Sequence, residues 1–374
     1  MVSFVVLQTE RVSFGGLECY IPIDGSPAVS LYGFAGKCQD FQRTHGGAGA
    51  ETPTIGNGHP RPMSMACRTE TTPSRAQTVL SASRRTDIPA FYMPWFMACI
   101  RRGVFERVNP FNRRRSTLAV SPRSVHSIVL WSKNFGPLID NGWDLQLVKG
   151  GYPLFFHFTI NSRNRILEPR VPPLDERLRQ LEVLCRRHDP RAVTWRFDPV
   201  CFYRCGAGPV SDNLDDFETI ARRAAQCGVR RCITSFMDDY AKIRKRVAVL
   251  KGFEFVYPPL DRKVAVLMEM NRVLQALGIA LFTCCEKAVL AALPRHAGVR
   301  SASCISSDLL AELYGGRPSL KKDSGQRVRQ GCGCYVSVDV GSYDLHPCRN
   351  GCLYCYANPE KTVSASRLDA QRRA

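Results

Sequence analysis

The sequence predicts an α/β protein, namely a (β/α) barrel or partial barrel of TIM type with parallel strands and a cysteine motif at its C-terminal end. Two observations indicate this fold. Short runs rich in β-branched residues recur from residue 78 onward, and stretches with the period of an amphipathic helix separate them. Strands that alternate with helices form βα units around a parallel sheet, and 374 residues are enough for one such barrel.

Seven apolar runs are predicted to be the strands of this sheet, the seventh close to the C-terminus. In chain order they are TVLSAS (78–83), SIVLWS (127–132), LFFHFTI (154–160), AVTWRF (192–197), RCITSF (231–236), IALFTC (279–284) and CYVSVDV (334–340). Since one more short strand would complete a barrel, we expect a sheet of six to eight strands.

Amphipathic spacing predicts helices over 91–103, 175–188, 214–228 and 262–278. The last two stretches end in Gly228 and Gly278. Glycine is typical of the residue that follows a helix, because it adopts the left-handed conformation required there without a steric penalty.

The chain is predicted to have three parts: 1–77, a barrel-like domain over 78–331, and a cysteine-rich segment over 332–374 packed on it. Residues 1–77 hold ten of the 28 glycines, their charges balance, and no periodicity is sustained. Such a segment buries too little apolar surface to offset its chain entropy. We therefore expect a flexible or disordered tail, or translated sequence upstream of a true start near Met63 or Met65.

The composition is that of an ordinary globular protein, with 44% hydrophobic and 23% charged residues. No apolar run approaches the ~20 residues of a membrane-spanning helix, and the N-terminus lacks the features of a signal peptide. These observations predict a cytoplasmic protein without a membrane partner. Seventeen cysteines in a reducing compartment indicate metal binding or redox chemistry rather than disulfides.

The formal net charge of +19 raises the alternative of a nucleic-acid partner. Most of the basic residues are arginines, which a GC-rich coding bias would also produce, and they are spread along the chain instead of forming one patch. Nucleic-acid binding is therefore kept only as a minor alternative.

Polar residues follow several of the predicted strands. The carboxyl ends of the strands form the active-site face of a parallel α/β barrel, although loops after strands are also polar simply because they are solvated. The residues predicted to bind cofactor or substrate are Arg84, Arg85, Asp87, Lys133, Asn134, Arg196 and Asp198.

The most informative segment is the C-terminal C-x3-C-x2-C motif, formed by Cys348, Cys352 and Cys355. Three thiolates on one loop can hold three irons of a 4Fe–4S cluster and leave the fourth iron open to a small molecule. Gly351 permits the sharp path that such a loop needs. A structural zinc site is the main alternative, because C-x2-C pairs are common there.

This motif resembles the signature of the radical S-adenosylmethionine superfamily, and Tyr354 matches the aromatic residue before the third cysteine. The resemblance implies S-adenosylmethionine bound at the open iron, a 5′-deoxyadenosyl radical, and an electron donor such as flavodoxin or ferredoxin. In most of that superfamily the motif follows the first strand, whereas here it follows the last. A barrel places its first and last strands side by side, so a circular shift of strand order would keep the loop in the same place.

A wider set of motifs resembles a bacterial family, the domain of unknown function 1848. The motifs are SASRRTDIPAFY, NPFN, WSKN, WRFDP and the closing CGC…DVGSY…GCLYCYAN, and they extend from about residue 78 to 360. This resemblance implies a cluster at Cys348, Cys352 and Cys355 and leaves the reaction open.

A possible second metal site, either an iron–sulfur cluster or zinc, is predicted from Cys285, Cys304, Cys332 and Cys334. Cys284 is expected to point to the opposite face of its strand from Cys285, so that only one of the two serves as a ligand. His346 precedes the cysteine motif and is expected to be an exposed loop residue or, alternatively, to support the ligands.

The sequence contains no GxSxG, GxxxxGK[ST] or HExxH motif. The resemblance of the cysteine motif implies a radical S-adenosylmethionine enzyme acting on an unknown substrate. Two alternatives remain open at this stage: a non-catalytic zinc or iron–sulfur protein, and a radical-type enzyme of nucleic-acid repair or modification.

Overall fold

The computed structural model describes residues 9–14, 17–22, 76–108 and 114–359. The chain divides into two units, Met1–Glu70 and Thr71–Ala374. In the first unit, β1 (Thr9–Phe14) and β2 (Leu17–Pro22) pair as an antiparallel hairpin. The predicted tail over 1–77 otherwise falls almost entirely outside the described residues and stays a prediction, as does the part of the C-terminal segment beyond Pro359.

The strands of the second unit form the parallel sheet and two smaller antiparallel sheets. They are β3 (Thr78–Ala82), β4 (Val104–Val108), β5 (Arg115–Ala119), β6 (Val125–Ser132), β7 (Leu154–Thr159), β8 (Val193–Val200), β9 (Phe202–Cys205), β10 (Val210–Asp212), β11 (Arg231–Phe236), β12 (Phe253–Val256), β13 (Ala280–Thr283), β14 (Arg300–Ser301) and β15 (Val338–Asp339).

Helices alternate with these strands. They are α1 (Ile88–Phe91), α2 (Met93–Arg102), α3 (Gly136–Asp140), α4 (Trp143–Lys149), α5 (Leu174–Arg187), α6 (Phe217–Gln226), α7 (Ala241–Val247), α8 (Leu260–Ala276), α9 (Lys287–Ala292) and α10 (Ser307–Tyr314). Within the described residues, no helix is long and apolar enough to cross a bilayer.

Eight strands form one parallel sheet in the order β14-β13-β11-β8-β7-β6-β3-β15. When only the strands of this sheet are counted, each lies beside the next one in the chain. The exception is the last strand, β15, which returns to pair with the first, β3. This is the strand order of a (β/α) barrel opened between its seventh and eighth strands. The predicted parallel α/β architecture is therefore confirmed, and the sheet is compatible with a partial barrel.

Loops bridge the opening between the two edge strands. The segment that follows β14 lies against the segment that precedes β15, where the Tyr335 backbone N–H donates to the Ile305 carbonyl at 3.0 Å. The Ser303 hydroxyl also donates to the Gly333 carbonyl at 2.9 Å. The cysteines at 304, 332 and 334 lie in these two segments.

The helices pack on the sheet through apolar stripes, as their spacing predicts. In α5, the buried residues Leu178, Leu181 and Leu184 recur on one face and join the main hydrophobic core. Gly228 and Gly278 follow α6 and α8 with φ of 83° and 68°, which confirms the expected left-handed conformation at both helix ends.

The seven predicted strands correspond to β3, β6, β7, β8, β11, β13 and β15, whereas three features of the strands in the second unit were not predicted. These are the two-residue strand β14, the antiparallel hairpin β4–β5, and a small sheet in the order β10-β9-β12. Strand β5 is mostly exposed, so its sequence lacks the apolar alternation that indicates a strand.

Candidate active site at the carboxyl ends of the strands

A cavity of about 450 Å³ opens at the carboxyl ends of the parallel strands. This volume is typical of a small-molecule or cofactor site. Five of the seven predicted binding residues line it, together with all eight cysteines that follow position 283. These lining residues are Arg84, Asp87, Lys133, Arg196, Asp198, Cys284, Cys285, Cys304, Cys332, Cys334, Cys348, Cys352 and Cys355.

The motif cysteines approach the cavity from the C-terminal loop. Cys352 is buried, whereas Cys348 and Cys355 are half-buried. Burial raises the pKa of the Cys348 thiol to about 12 and also raises that of Cys352. A metal would have to displace these protons, so metal binding at this loop would release protons. Among the described residues, no group of three or more His, Cys, Asp or Glu side chains is already arranged as a metal-ion site.

The buried side chain of Arg246, in α7, binds backbone carbonyl oxygens of the cysteine loop. Its guanidinium donates to the carbonyl oxygens of Leu353 at 2.8 Å, Cys355 at 3.1 Å and Asn358 at 3.1 Å. The Asn358 side chain in turn donates to the Cys352 carbonyl at 3.0 Å. These bonds fix the path of the chain on both sides of the last two motif cysteines.

Asp87 ties the same loop to the first strands of the sheet. Its buried carboxylate accepts hydrogen bonds from the Ser132 hydroxyl at 2.6 Å, the Lys133 backbone N–H at 2.9 Å and the Asn350 side-chain amide at 3.0 Å. Burial raises the pKa of Asp87, and these donors oppose that rise. The geometry gives Asp87 a positioning role in addition to its place on the cavity wall.

Gly351 lies between two of the motif cysteines and has φ of 66°. A Cβ atom at this position would lie only 2.3 Å from Nη2 of Arg170, whose Nε donates to the Arg349 carbonyl at 2.6 Å. The positive φ favours glycine, in agreement with the sharp loop path that the sequence predicts, whereas the exposed Arg170 side chain can move away from an added Cβ.

We expect Gly351→Ala to lower the free energy of unfolding by the ~1–2 kcal/mol that a left-handed alanine costs, and further because displacing the Arg170 side chain breaks its hydrogen bond to the Arg349 carbonyl. Gly142→Ala is the matched control, since Gly142 has φ of 62° but no atom within 4 Å of the added Cβ. Urea denaturation of both variants measures the difference. Equal losses in the two variants would contradict the packing argument.

Lys133 lies beside the motif in a buried ionic network. Its ammonium donates to Oε1 of Glu168 at 2.8 Å, and Arg177 lies 3.8 Å from the other carboxylate oxygen. The Tyr354 hydroxyl also donates to Glu168. Burial alone would raise the pKa of Glu168, but Lys133 and Arg177 outweigh it and the pKa falls below its ordinary value.

Arg196 and Asp198 of β8 form a second ionic group on the cavity wall. Nη2 of Arg196 lies 2.6 Å from the Asp198 carboxylate, which also accepts a hydrogen bond from Ser235. The guanidinium groups of Arg84 and Arg196 lie 5.2 Å and 5.5 Å from the ring centroid of Trp131. Nη2 of Arg84 is a buried atom without a hydrogen-bond partner, so this guanidinium has unused capacity for an anion.

The other two predicted binding residues are engaged away from the cavity wall. The Arg85 guanidinium donates to the Gly341 carbonyl at 3.1 Å. The side-chain oxygen of Asn134 accepts hydrogen bonds from the Gly136 N–H at 3.0 Å and from Gln180 at 2.8 Å, at the start of α3. Both contacts are within the protein, and neither residue lines the cavity.

The side chains of Cys284 and Cys285 are not oriented as the sequence predicts. The Sγ atoms of Cys284 and Cys285 lie 3.7 Å apart, so the two thiols do not point to opposite faces. The expectation of alternation is wrong because β13 ends at Thr283, and Cys285 has a positive φ of 63°. Strand alternation therefore does not extend to this pair.

His346 is buried instead of exposed, so the expectation of an exposed loop residue is wrong. Its ring lies 4.0 Å from that of Trp95 and 5.1 Å from that of Tyr92. The Tyr92 hydroxyl donates to the Pro347 carbonyl at 2.7 Å, so these aromatic residues anchor the start of the cysteine loop.

Four residues of the site were missed by reasoning from the sequence: Trp131, Glu168, Arg246 and Asn350. Trp131 lies in a predicted strand, and Asn350 lies within the cysteine motif, so their positions in the sequence carried a usable signal. Glu168 and Arg246 lie in a loop and in a basic helix that the sequence presents as solvated. Only the fold shows that their charges are buried.

No curated protein matches the chain. Solved structures that match part of the chain include a D-hydantoinase from a Bacillus sp. AR9, with 11% identity, a TM-score of 0.24 and coverage of 43% of this chain and 34% of that one. A second D-hydantoinase has 11% identity, a TM-score of 0.25 and coverage of 47% and 38%. The chain thus spans little more than a third of each of these structures.

The family comparison is more extensive. The model of a domain of unknown function, DUF1848, matches residues 79–357, well over half of the chain. The match includes every strand of the parallel sheet and all three motif cysteines. The chain therefore belongs to the DUF1848 family.

Proposed function

We propose that this protein is a radical S-adenosylmethionine enzyme whose 4Fe–4S cluster is held by Cys348, Cys352 and Cys355. The observation that carries the proposal is the position of the three thiols. They belong to one short loop and line a cavity at the carboxyl ends of parallel strands, where a small molecule has access. Three ligands on such a loop suit a cluster with one open iron, whereas a closed structural site needs a fourth ligand.

The side chains around the motif suit an anionic metal–thiolate group. Lys133 lies close enough to Cys352 to lower that thiol's pKa against the opposing effect of burial. The Ala357 backbone N–H donates to Sγ of Cys355 at 3.3 Å. At Cys352 the Lys133 ammonium partly offsets the rise in pKa that burial causes, which favours the thiolate, the form that ligates iron.

When bound, the cluster would supply the electron that cleaves S-adenosylmethionine to a 5′-deoxyadenosyl radical. The residues of the chain would bind and orient that molecule. Arg84, with its unused guanidinium nitrogen, suits the methionyl carboxylate, and Asp198 suits the amine or a ribose hydroxyl. Tyr354 and Glu168 keep Lys133 beside the motif through their buried hydrogen bonds. A flavodoxin or ferredoxin is the proposed electron donor.

The test is to purify the full chain without oxygen, reconstitute it with iron and sulfide, reduce it, and measure 5′-deoxyadenosine formed from S-adenosylmethionine. We expect product from the wild type and none above background from Cys352→Ala. Cys185→Ala is the matched control, because Cys185 is a free cysteine on α5 that does not line the cavity.

A second readout separates binding from cleavage. Adding S-adenosylmethionine should change the electron paramagnetic resonance spectrum of the reduced cluster, and Arg84→Ala should weaken that change about tenfold in apparent affinity. A cluster or a zinc ion that leaves S-adenosylmethionine intact and shows no spectral change would sink the proposal. That result would favour a non-catalytic metal protein.

A further inference from the structure

Five cysteines form a second group on the cavity wall, at a distance along the chain from the motif loop. We call Cys284, Cys285, Cys304, Cys332 and Cys334 the five-cysteine group. Sγ of Cys284 lies 3.7 Å from Sγ of Cys304 and 3.7 Å from Sγ of Cys285. Cys332 adjoins both Cys285 and Cys334. The proposed function makes no use of these thiols.

The sulfur spacing matches that around a single tetrahedral ion. Zinc–sulfur bonds of about 2.3 Å place neighbouring sulfurs of a tetrahedron about 3.8 Å apart. Both Sγ–Sγ distances around Cys284 are close to this value. The described side chains are not yet arranged as a metal-ion site, so binding one ion requires the cysteine side chains to rotate toward a common centre.

Positive charge surrounds the group on the side away from solvent. Nη1 of buried Arg196 donates to Sγ of Cys304 at 3.1 Å. Arg84 lies near Cys334 and Cys304, which both favour its charged form. Four thiolates around a divalent ion carry a net charge of −2, and burying such a charge is costly unless cations balance it. The two guanidinium groups offset part of this charge, since Arg196 also pairs with Asp198.

The group joins three segments that lie far apart in the chain. Cys284 and Cys285 follow β13, Cys304 follows β14, and Cys332 and Cys334 precede β15. The last two of these segments meet across the opening between the edge strands of the sheet. An ion bound to all three segments would therefore fasten the barrel at the place where strand pairing does not close it.

We propose that the five-cysteine group holds a second metal centre, a single tetrahedral zinc-type ion ligated by Cys304, Cys332, Cys334 and one thiol of the Cys284–Cys285 pair. This proposal concerns a structural site with its own ligands; it shares the guanidinium groups of Arg84 and Arg196 with the cavity of the proposed function but uses none of that function's chemistry. Its ion closes the sheet and leaves the motif loop free for its own ligands.

The test uses the full chain with Cys348, Cys352 and Cys355 all replaced by alanine, so that the motif loop holds no metal. After expression with added zinc, elemental analysis should find about one zinc ion per chain. Adding Cys304→Ala and Cys332→Ala to this background should reduce the zinc content at least tenfold. Adding Cys185→Ala and Cys227→Ala, two cysteines away from the cavity, should leave it unchanged.

A spectroscopic measurement distinguishes loss of the metal ligands from loss of folding in the variants. Replacing zinc by cobalt in the triple variant should give the absorption of tetrahedral Co²⁺ with thiolate ligands. The conservative change Cys332→Ser should weaken the thiolate-to-cobalt bands while circular dichroism stays the same. A triple variant that is folded and free of metal would overturn the proposal, and so would a second iron–sulfur cluster at these residues. Failure of S-adenosylmethionine cleavage alone would leave it standing.

Discussion

Arg246→Met is expected to lower the free energy of unfolding by about 3 kcal/mol or more and to release the cysteine loop from the barrel. The guanidinium of Arg246 is buried and donates to three carbonyl oxygens of the loop. Methionine occupies a similar volume without any donor, so three buried acceptors lose a partner at about 1–3 kcal/mol each. Iron retention after reconstitution should fall together with stability.

Arg244→Met is the matched control for this experiment. Arg244 lies one half-turn earlier on α7, and its side chain is 57% exposed in an ion pair with Asp239. Exposed pairs contribute about 0–1 kcal/mol, so this variant should differ little from the wild type. Guanidinium denaturation measures stability, and limited proteolysis measures release of the loop. An Arg246→Met variant with wild-type stability and iron content would show that the loop is held by other contacts.

Glu168→Gln is expected to destabilise the protein by about 3–5 kcal/mol, because it leaves two buried cations without their carboxylate. Lys133 lies 2.8 Å and Arg177 3.8 Å from the Glu168 oxygens, and both side chains are largely buried. Glu182→Gln on α5 is the control, since its 40% exposed side chain pairs only with exposed arginines. Thermal and urea denaturation of the two variants give the comparison.

The same substitution changes the dependence of stability on pH. The pKa of Glu168 is lower in the folded state than in the unfolded chain. Its contribution is therefore fully present above the ordinary glutamate pKa and is lost as the pH falls through the lower, folded value. Between neutral pH and the acid range, the wild type should lose more stability than Glu168→Gln. Parallel pH profiles for the two proteins would contradict this assignment.

Much of the parallel sheet could be predicted because its signals are local. The seven predicted strands are apolar runs of β-branched and aromatic residues, and burial on both faces of a parallel sheet produces such runs. Strand β14 is only two residues long and both residues are exposed, so it lacks the apolar run that would predict a strand. The placement of β15 beside β3 rested on barrel geometry and was confirmed by the register Val338 to Leu80.

The site was predictable where residue type indicates chemistry and not where burial decides it. The motif cysteines and the polar residues after strands are visible in the sequence, and most of them line one cavity. The direction of the Cys284 and Cys285 side chains depends on the residue at which β13 ends. A prediction from sequence locates such an end only to within a residue or two. Glu168 and Arg246 could not be singled out, because their burial arises from contacts between distant segments.

The pairing of β15 with β3 has a consequence for how the protein is made. These strands are separated by most of the folded domain, as the register Asp339 to Ser81 shows. Contacts between residues so distant in sequence form late, because loop-closure entropy opposes them until the intervening strands have assembled. During synthesis, the first strand must wait for the ribosome to release nearly the whole chain. The loop of Cys348, Cys352 and Cys355 follows β15, so it packs against the sheet only after nearly the whole chain has been made.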